Sequence, residues 1–157
     1  MERTLLGRHL WIVILALLMA VSAAAGEQVN DTEAAIKTLM AAQFDRPEQH
    51  LKVDPVIVEG DHAIAGWVQG DMGGRALLRR KGQNWQLVLC SGDQIKGADA
   101  LVKIGLPEPV ATSLARRLAD AESRLPQATL AMFSKFDGIV MMNATGNHPP
   151  QHAPEEH

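Results

Sequence analysis

The sequence predicts an α+β domain: an N-terminal helix, a four-stranded antiparallel meander and a C-terminal helical pair, ending in a disordered tail. Three observations carry this reading. Four short apolar runs follow one another with turn signals between them. Segments of helical period flank those runs on both sides. Nothing periodic remains after Met142.

The first element precedes the domain. Arg3, Arg8 and His9 lead into an apolar run, Leu10 to Val21, and then into "SAAAG". A basic start, a short apolar stretch and small residues form the pattern of a secretory signal peptide. Ala23 and Ala25 fit the A-x-A rule, so residues 1–25 are read as a leader cut after Ala25. The run is shorter than the roughly 20 residues a membrane span requires. The competing reading is an uncleaved N-terminal anchor. No cysteine follows the run, which argues against a lipid anchor. The expectation is an exported, periplasmic protein with no membrane span after cleavage, holding one α+β domain over residues 26–142 and a tail over 143–157.

Within the domain, "NDTEAAIKTLMAAQF" places Ile36, Leu39, Met40 and Phe44 at helical spacing. Asn30 and Glu33 suit a capping box, and Pro47 ends the segment. The strand-like runs are "VDPVIV" (53–58), "HAIAGWVQ" (62–69), "RALLRRK" (75–81) and "NWQLVLC" (84–90). They are separated by "EGDH", "GDMGG" and "KGQN". Such short connections make hairpins rather than crossovers. This helix-plus-meander order is compatible with a cystatin-like or NTF2-like layout.

A two-residue turn at Gly82-Gln83 fixes a register, with Lys81 opposite Asn84. Arg80/Trp85, Leu78/Leu87 and Ala76/Leu89 then share a core-facing side, while Arg79/Gln86, Leu77/Val88 and Arg75/Cys90 share a half-polar one. Further on, "ADALVKIGLPEP" gives a short helix stopped at Gly105. Val110, Leu114, Leu118, Ala121 and Leu125 then form an apolar stripe, with Arg116, Asp120 and Arg124 behind it. Pro126 breaks that helix and opens "PQATLAMFSKF". "GIVMM" is either a last strand or chain laid on the core. Pro149, Pro150 and Pro154 bar a helix in the tail.

Composition bounds the function. The formal charge is −3, or about −4 without Glu2, Arg3 and Arg8. A mildly acidic chain lacks the clustered cations that phosphate contacts need, so nucleic acid is not an expected partner. No nucleophile elbow, zincin, Walker or dinucleotide motif occurs, and no enzymatic activity is expected. "CSGD" would need a distant histidine base to serve a small hydrolase. His50 and His62 stand near strand starts, and Asp61-His62 reads as a hairpin turn.

Metal binding fits the residue types better. Thiolate and thioether suit Cu(I), and imidazole suits copper generally. The candidate ligands are Met141, Met142, His148, His152 and His157 in and before the tail, with the lone Cys90 as a second centre. Arg75 opposite Cys90 would favour the thiolate; alternatively, Cys90 is a small buried hydrophobe. His148 and His152 flank Pro149-Pro150, and about 12 Å of polyproline separates them unless the chain bends. The free tail would thus be a weak site, or simply a solvated end. Adjacent Met141 and Met142 point opposite ways in a strand, so one of them faces the tail.

The ordered set "FDRPE", "VDPVIV", "GDHAIAGWVQGDMGGRALLR" and "WQLVLCSGD" resembles the small exported bacterial proteins called copper uptake system-associated proteins. The likeness covers most of the chain after residue 25. The resemblance implies a periplasmic accessory protein of copper uptake or homeostasis. Its expected partners are a copper ion, as Cu(I) or Cu(II), and an envelope transporter or receptor. It brings no ligand set, so it gives no residue a role. The alternative is a non-metal docking module that offers a partner protein the half-apolar sheet face, through Trp67 and the Leu77/Val88 side.

Overall fold

A computed structural model describes residues 28–142. The chain divides between Ala34 and Ala35 into two compact units. In the first, residues 28–34 are helical. Because residues 28 and 29 already belong to that helical stretch, Asn30 does not cap it, as the capping-box expectation required.

The second unit holds the α+β fold. Helix α1, over residues 35–44, turns Ile36 and Met40 inward to near-zero exposure. Five strands follow: β1 (Leu51–Glu59), β2 (His62–Gln69), β3 (Met72–Lys81), β4 (Asn84–Ser91) and β5 (Ile139–Met141). They form one antiparallel sheet in the order β1-β2-β3-β4-β5. The four expected strands are present, and "GIVMM" supplies a fifth, short one. Between β4 and β5 come a 3₁₀ turn (Asp93–Ile95) and three helices: α2 (Ala98–Lys103), α3 (Glu108–Glu122) and α4 (Gln127–Phe133). The region is therefore more than the expected helical pair. No helix among the described residues is long and apolar enough to cross a membrane.

Local chemistry explains the boundaries. Gly82 adopts φ +63° in the β3–β4 turn, a conformation that glycine tolerates best. Helix α2 stops as its sequence predicts: Gly105 sits at φ +101°, its N–H donates to the Val102 carbonyl, and Leu106 N–H reaches back to Leu101. These paired bonds form a Schellman cap. Pro107 and Pro126 lead into α3 and α4, positions at which a missing N–H is harmless. Pro55 lies on the edge strand β1, in a cis Asp54–Pro55 bond, where the β1–β2 register shifts.

Both faces of the sheet are covered. One face packs Ala63, Ala65, Ala76, Leu78, Trp85, Leu87 and Cys90 against Ile36 and Met40 of α1. The other packs Ile57, Ile64, Leu77 and Leu89 against α2 and α3 through Leu101, Ala111, Leu114 and Leu118. The expected half-polar face is thus a second core. Leu77, at 2% exposure, is covered by that core, and Val88 is half-buried.

The β3–β4 pairing starts as predicted, with Lys81 opposite Asn84, Arg80 opposite Trp85 and Leu78 opposite Leu87. It then slips. Leu77 pairs with Leu89, Ala76 with Cys90 and Arg75 with Ser91, so one step on β3 spans two on β4. Val88 is the extra residue of a β-bulge. The slip moves Leu89 to the α3 face and Cys90 to the α1 face, which reverses the face assigned to each from sequence.

Candidate functional site

On the α1 side of the sheet lies an apolar cavity of about 200 Å³. Met40 and Phe44 from α1, Trp67 from β2, Cys90 from β4, Phe136 after α4, and Val140 and Met142 at the chain's last strand contribute to its walls. Each element has a reason to deliver its residue. Met40 and Phe44 stand one helical turn apart on the inward stripe begun by Ile36. The C-terminus of that helix is tied to the sheet by Gln69, whose Nε2 donates to the Phe44 carbonyl at 2.6 Å and to the Gln49 carbonyl at 2.8 Å. Trp67 meets Phe136 edge to face, with centroids 5.8 Å apart.

The bulge aims Cys90 into this space. It also leaves the Val88 carbonyl to accept the Met142 N–H at 2.8 Å, which anchors the residue beyond β5. Val140 pairs with Cys90 and faces the same side. The methionine pair is therefore split. Met142 is half-buried and lines the cavity, whereas Met141 is 48% exposed on the opposite side of β5. Of the six predicted ligands, the fold brings Cys90 and Met142 together and leaves Met141 apart. His148, His152 and His157 lie outside the described residues.

Met40 joins the pair unforeseen. Its helical spacing marked it as core, and nothing in the sequence links it to Cys90 across the turn and three strands between them. Among the described residues, no three His, Cys, Asp or Glu side chains cluster as a metal group would. The cavity's sulfur donors are instead one thiol and two thioethers, and the Gln69 amide also lines it.

The electrostatics follow from burial. Cys90 is a free, buried thiol, and desolvation pushes it up to about 12, so it is neutral at ordinary pH. The expected Arg75 partner is absent because Arg75 points to the other face. There its Nε and Nη2 grip Glu122 at 2.6 and 2.8 Å, its Nη1 donates to the Gly92 carbonyl and Asp93 at 3.1 Å each, and its guanidinium lies 5.3 Å from the Phe133 ring centre. Among the described residues, Cys90 is the only ionisable side chain lining the cavity.

Two further features complete the site. The Trp67 Nε1 is buried without a hydrogen-bond partner in the described structure. His50 and His62 do not line the cavity: His50 meets Asp45 at 3.3 Å on the surface, and His62 stands at the start of β2, where partial burial, with Arg79 nearby, lowers its pKa. A buried neutral thiol, with no imidazole beside it among the described residues, is a poor nucleophile but a latent soft ligand. Comparison with known proteins leaves this geometry to speak alone: no family model matches the chain, and neither a curated protein nor a solved structure matches it.

Proposed function

We propose that this protein is an exported accessory of copper uptake or homeostasis that binds copper transiently. One observation carries the proposal: Cys90 and Met142, which lie 52 positions apart in the sequence, line one cavity, with Met40 beside them. Thiol and thioether groups are the side chains that favour Cu(I). The leader-like start and the motif resemblance support the same reading, with the periplasm as compartment and an envelope transporter or receptor as the onward partner. Capture falls to the tail, whose first histidine, His148, comes six positions after Met142 in the sequence, with His152 and His157 beyond it.

The test is a copper titration of the full chain under Cu(I) and Cu(II) conditions, beside a Cys90→Ala variant and a variant with all three tail histidines changed to alanine. Binding raises the melting temperature by mass action on the folded state. Loss in the histidine variant assigns the tail, and loss in Cys90→Ala assigns the cavity. No binding by any of the three overturns direct copper handling.

One observation favours a docking role instead. Ile139 and Met141 are 44% and 48% exposed on β5, an edge strand whose outer backbone has no neighbour in the described sheet. Edge strands accept an added strand. Under that reading, Met141→Glu abolishes capture of a transporter and leaves copper binding intact.

A further inference from the structure

The charge inventory of the cavity says which ions it can hold. Met40 is 2% exposed and Cys90 7%. Met142 closes the same space from the end of β5, and its backbone is fixed to the Val88 carbonyl. Every other lining side chain among the described residues is uncharged, so these residues supply one negative charge and no more. An ion held against the buried Met40 and Cys90 loses water on that side, and burying an uncompensated charge is costly.

We infer that the cavity is a site for a monovalent soft ion, Cu(I) or its analogue Ag(I), held by the Cys90 thiolate and the Met40 and Met142 thioethers, and that it rejects divalent ions. This inference rests on the copper-handling reading and narrows it. On binding, the Cys90 S–H bond breaks, a sulfur–metal bond forms and the proton leaves to solvent. The thioethers donate lone pairs and carry no charge. Thiolate plus a monovalent cation sums to zero, so the filled cavity is as neutral as the empty one. A divalent ion would leave one positive charge facing phenyl, indole and aliphatic groups, with only the neutral Gln69 amide beside them. Zinc prefers thiolate, imidazole or carboxylate donors in sets of four, and the cavity has one of these. The Trp67 ring adds a favourable surface for a cation.

The experiment uses the full chain with His148, His152 and His157 changed to alanine, so that the tail cannot contribute, kept reduced and free of oxygen. It is titrated with Ag(I), with Cu(I) and with Zn(II). Thiolate-to-metal absorbance, released protons and native mass are read together. The expected result is one Ag(I) or Cu(I) and one proton per chain, with a large excess of Zn(II) failing to compete. Cys90→Ala abolishes the signal. Met40→Leu and Met142→Leu, which keep volume and packing, retain the apo melting temperature and weaken Ag(I) by at least the roughly tenfold that changes around a metal site cost.

Equal binding of Zn(II) refutes the selectivity. Unchanged affinity in both leucine variants refutes the thioether ligands. If the histidine-substituted chain binds nothing while the unaltered chain binds copper, the cavity site is wrong and the copper reading stands on the tail. If neither binds, both fall.

Discussion

Removing Glu122 should be among the most damaging single changes in the described fold. Arg75 is 1% exposed and Glu122 5%. Their contact is bidentate, at 2.6 and 2.8 Å, the geometry in which guanidinium and carboxylate match best. Glu122 ends helix α3, where the helix dipole disfavours an acid. Arg75 reverses that preference, so each partner is tolerated because of the other. Breaking a buried pair from one side costs about 3–5 kcal/mol. In Glu122→Ala, Arg75 keeps the Gly92 carbonyl, Asp93 and the Phe133 ring, which places the cost at the lower end, about 3 kcal/mol. The double change Arg75→Met with Glu122→Leu leaves no stranded charge and should cost well under the sum of the two single changes. Urea unfolding measures this, with stability changes counted where the slope stays constant. The pair also bears on the candidate site. Arg75 lies opposite Ser91, next to Cys90 on β4, so a loosened pair should make the Cys90 thiol easier to label. A cost below about 1 kcal/mol for Glu122→Ala, or an additive double change, would refute the reasoning.

Three other outcomes follow from the same structure. Burial raises the Cys90 thiol from its ordinary 9.0 to about 12, so the folded state holds the proton more tightly than the unfolded one. The associated stability is intact below the ordinary value and lost as pH climbs toward 12, on the order of 4 kcal/mol in full; this alkaline limb should vanish in Cys90→Ala, as read from urea midpoints across the range. Asp45 runs the other way: the Leu51 N–H, then His50, hold its carboxyl below the usual range, so its contribution is present above 3.8 and fades as pH falls. Asp45→Asn should flatten the acid limb of the same midpoint curve. Gly66→Ala would set a methyl 2.7 Å from Phe133 and 2.9 Å from the Asp54 carbonyl; the backbone oxygen cannot yield, so a loss of about 1–3 kcal/mol is expected in thermal or urea unfolding.

Much of this fold was legible because its punctuation is strong. "EGDH", "GDMGG" and "KGQN" mark three hairpins, and the β3–β4 register followed from the Gly82-Gln83 turn as far as Leu78. The bulge was not legible. Leu87, Val88 and Leu89 are all apolar, and both sheet faces are buried, so the alternation that normally reveals a slip has no contrast there. Everything decided by that slip was hidden with it: the face of Cys90, its separation from Arg75, and its meeting with Met40. Glu122 was missed for a related reason. It continues the buried Ala111, Leu114 and Leu118 stripe of α3, but a carboxylate on an apolar stripe reads as solvent-facing unless its partner is known. Met142 was named as a candidate ligand, whereas its anchor on Val88 required the fold.

The sequence positions of the cavity's walls predict an order of assembly. Met40 precedes the first strand and Met142 follows the last, so the two thioethers come from opposite ends of the described chain. Contacts of such long sequence separation form late, since the loop between them must close first. A chain that has built β1 to β4 already turns Cys90 toward α1, yet it still lacks the β5 wall, and the Val88 carbonyl still waits for its donor. During that interval the thiol is at its most open to oxidants and to stray metal. The three residues of β5 therefore act as a final fastening, and a pulse of thiol reagent during refolding would time its arrival.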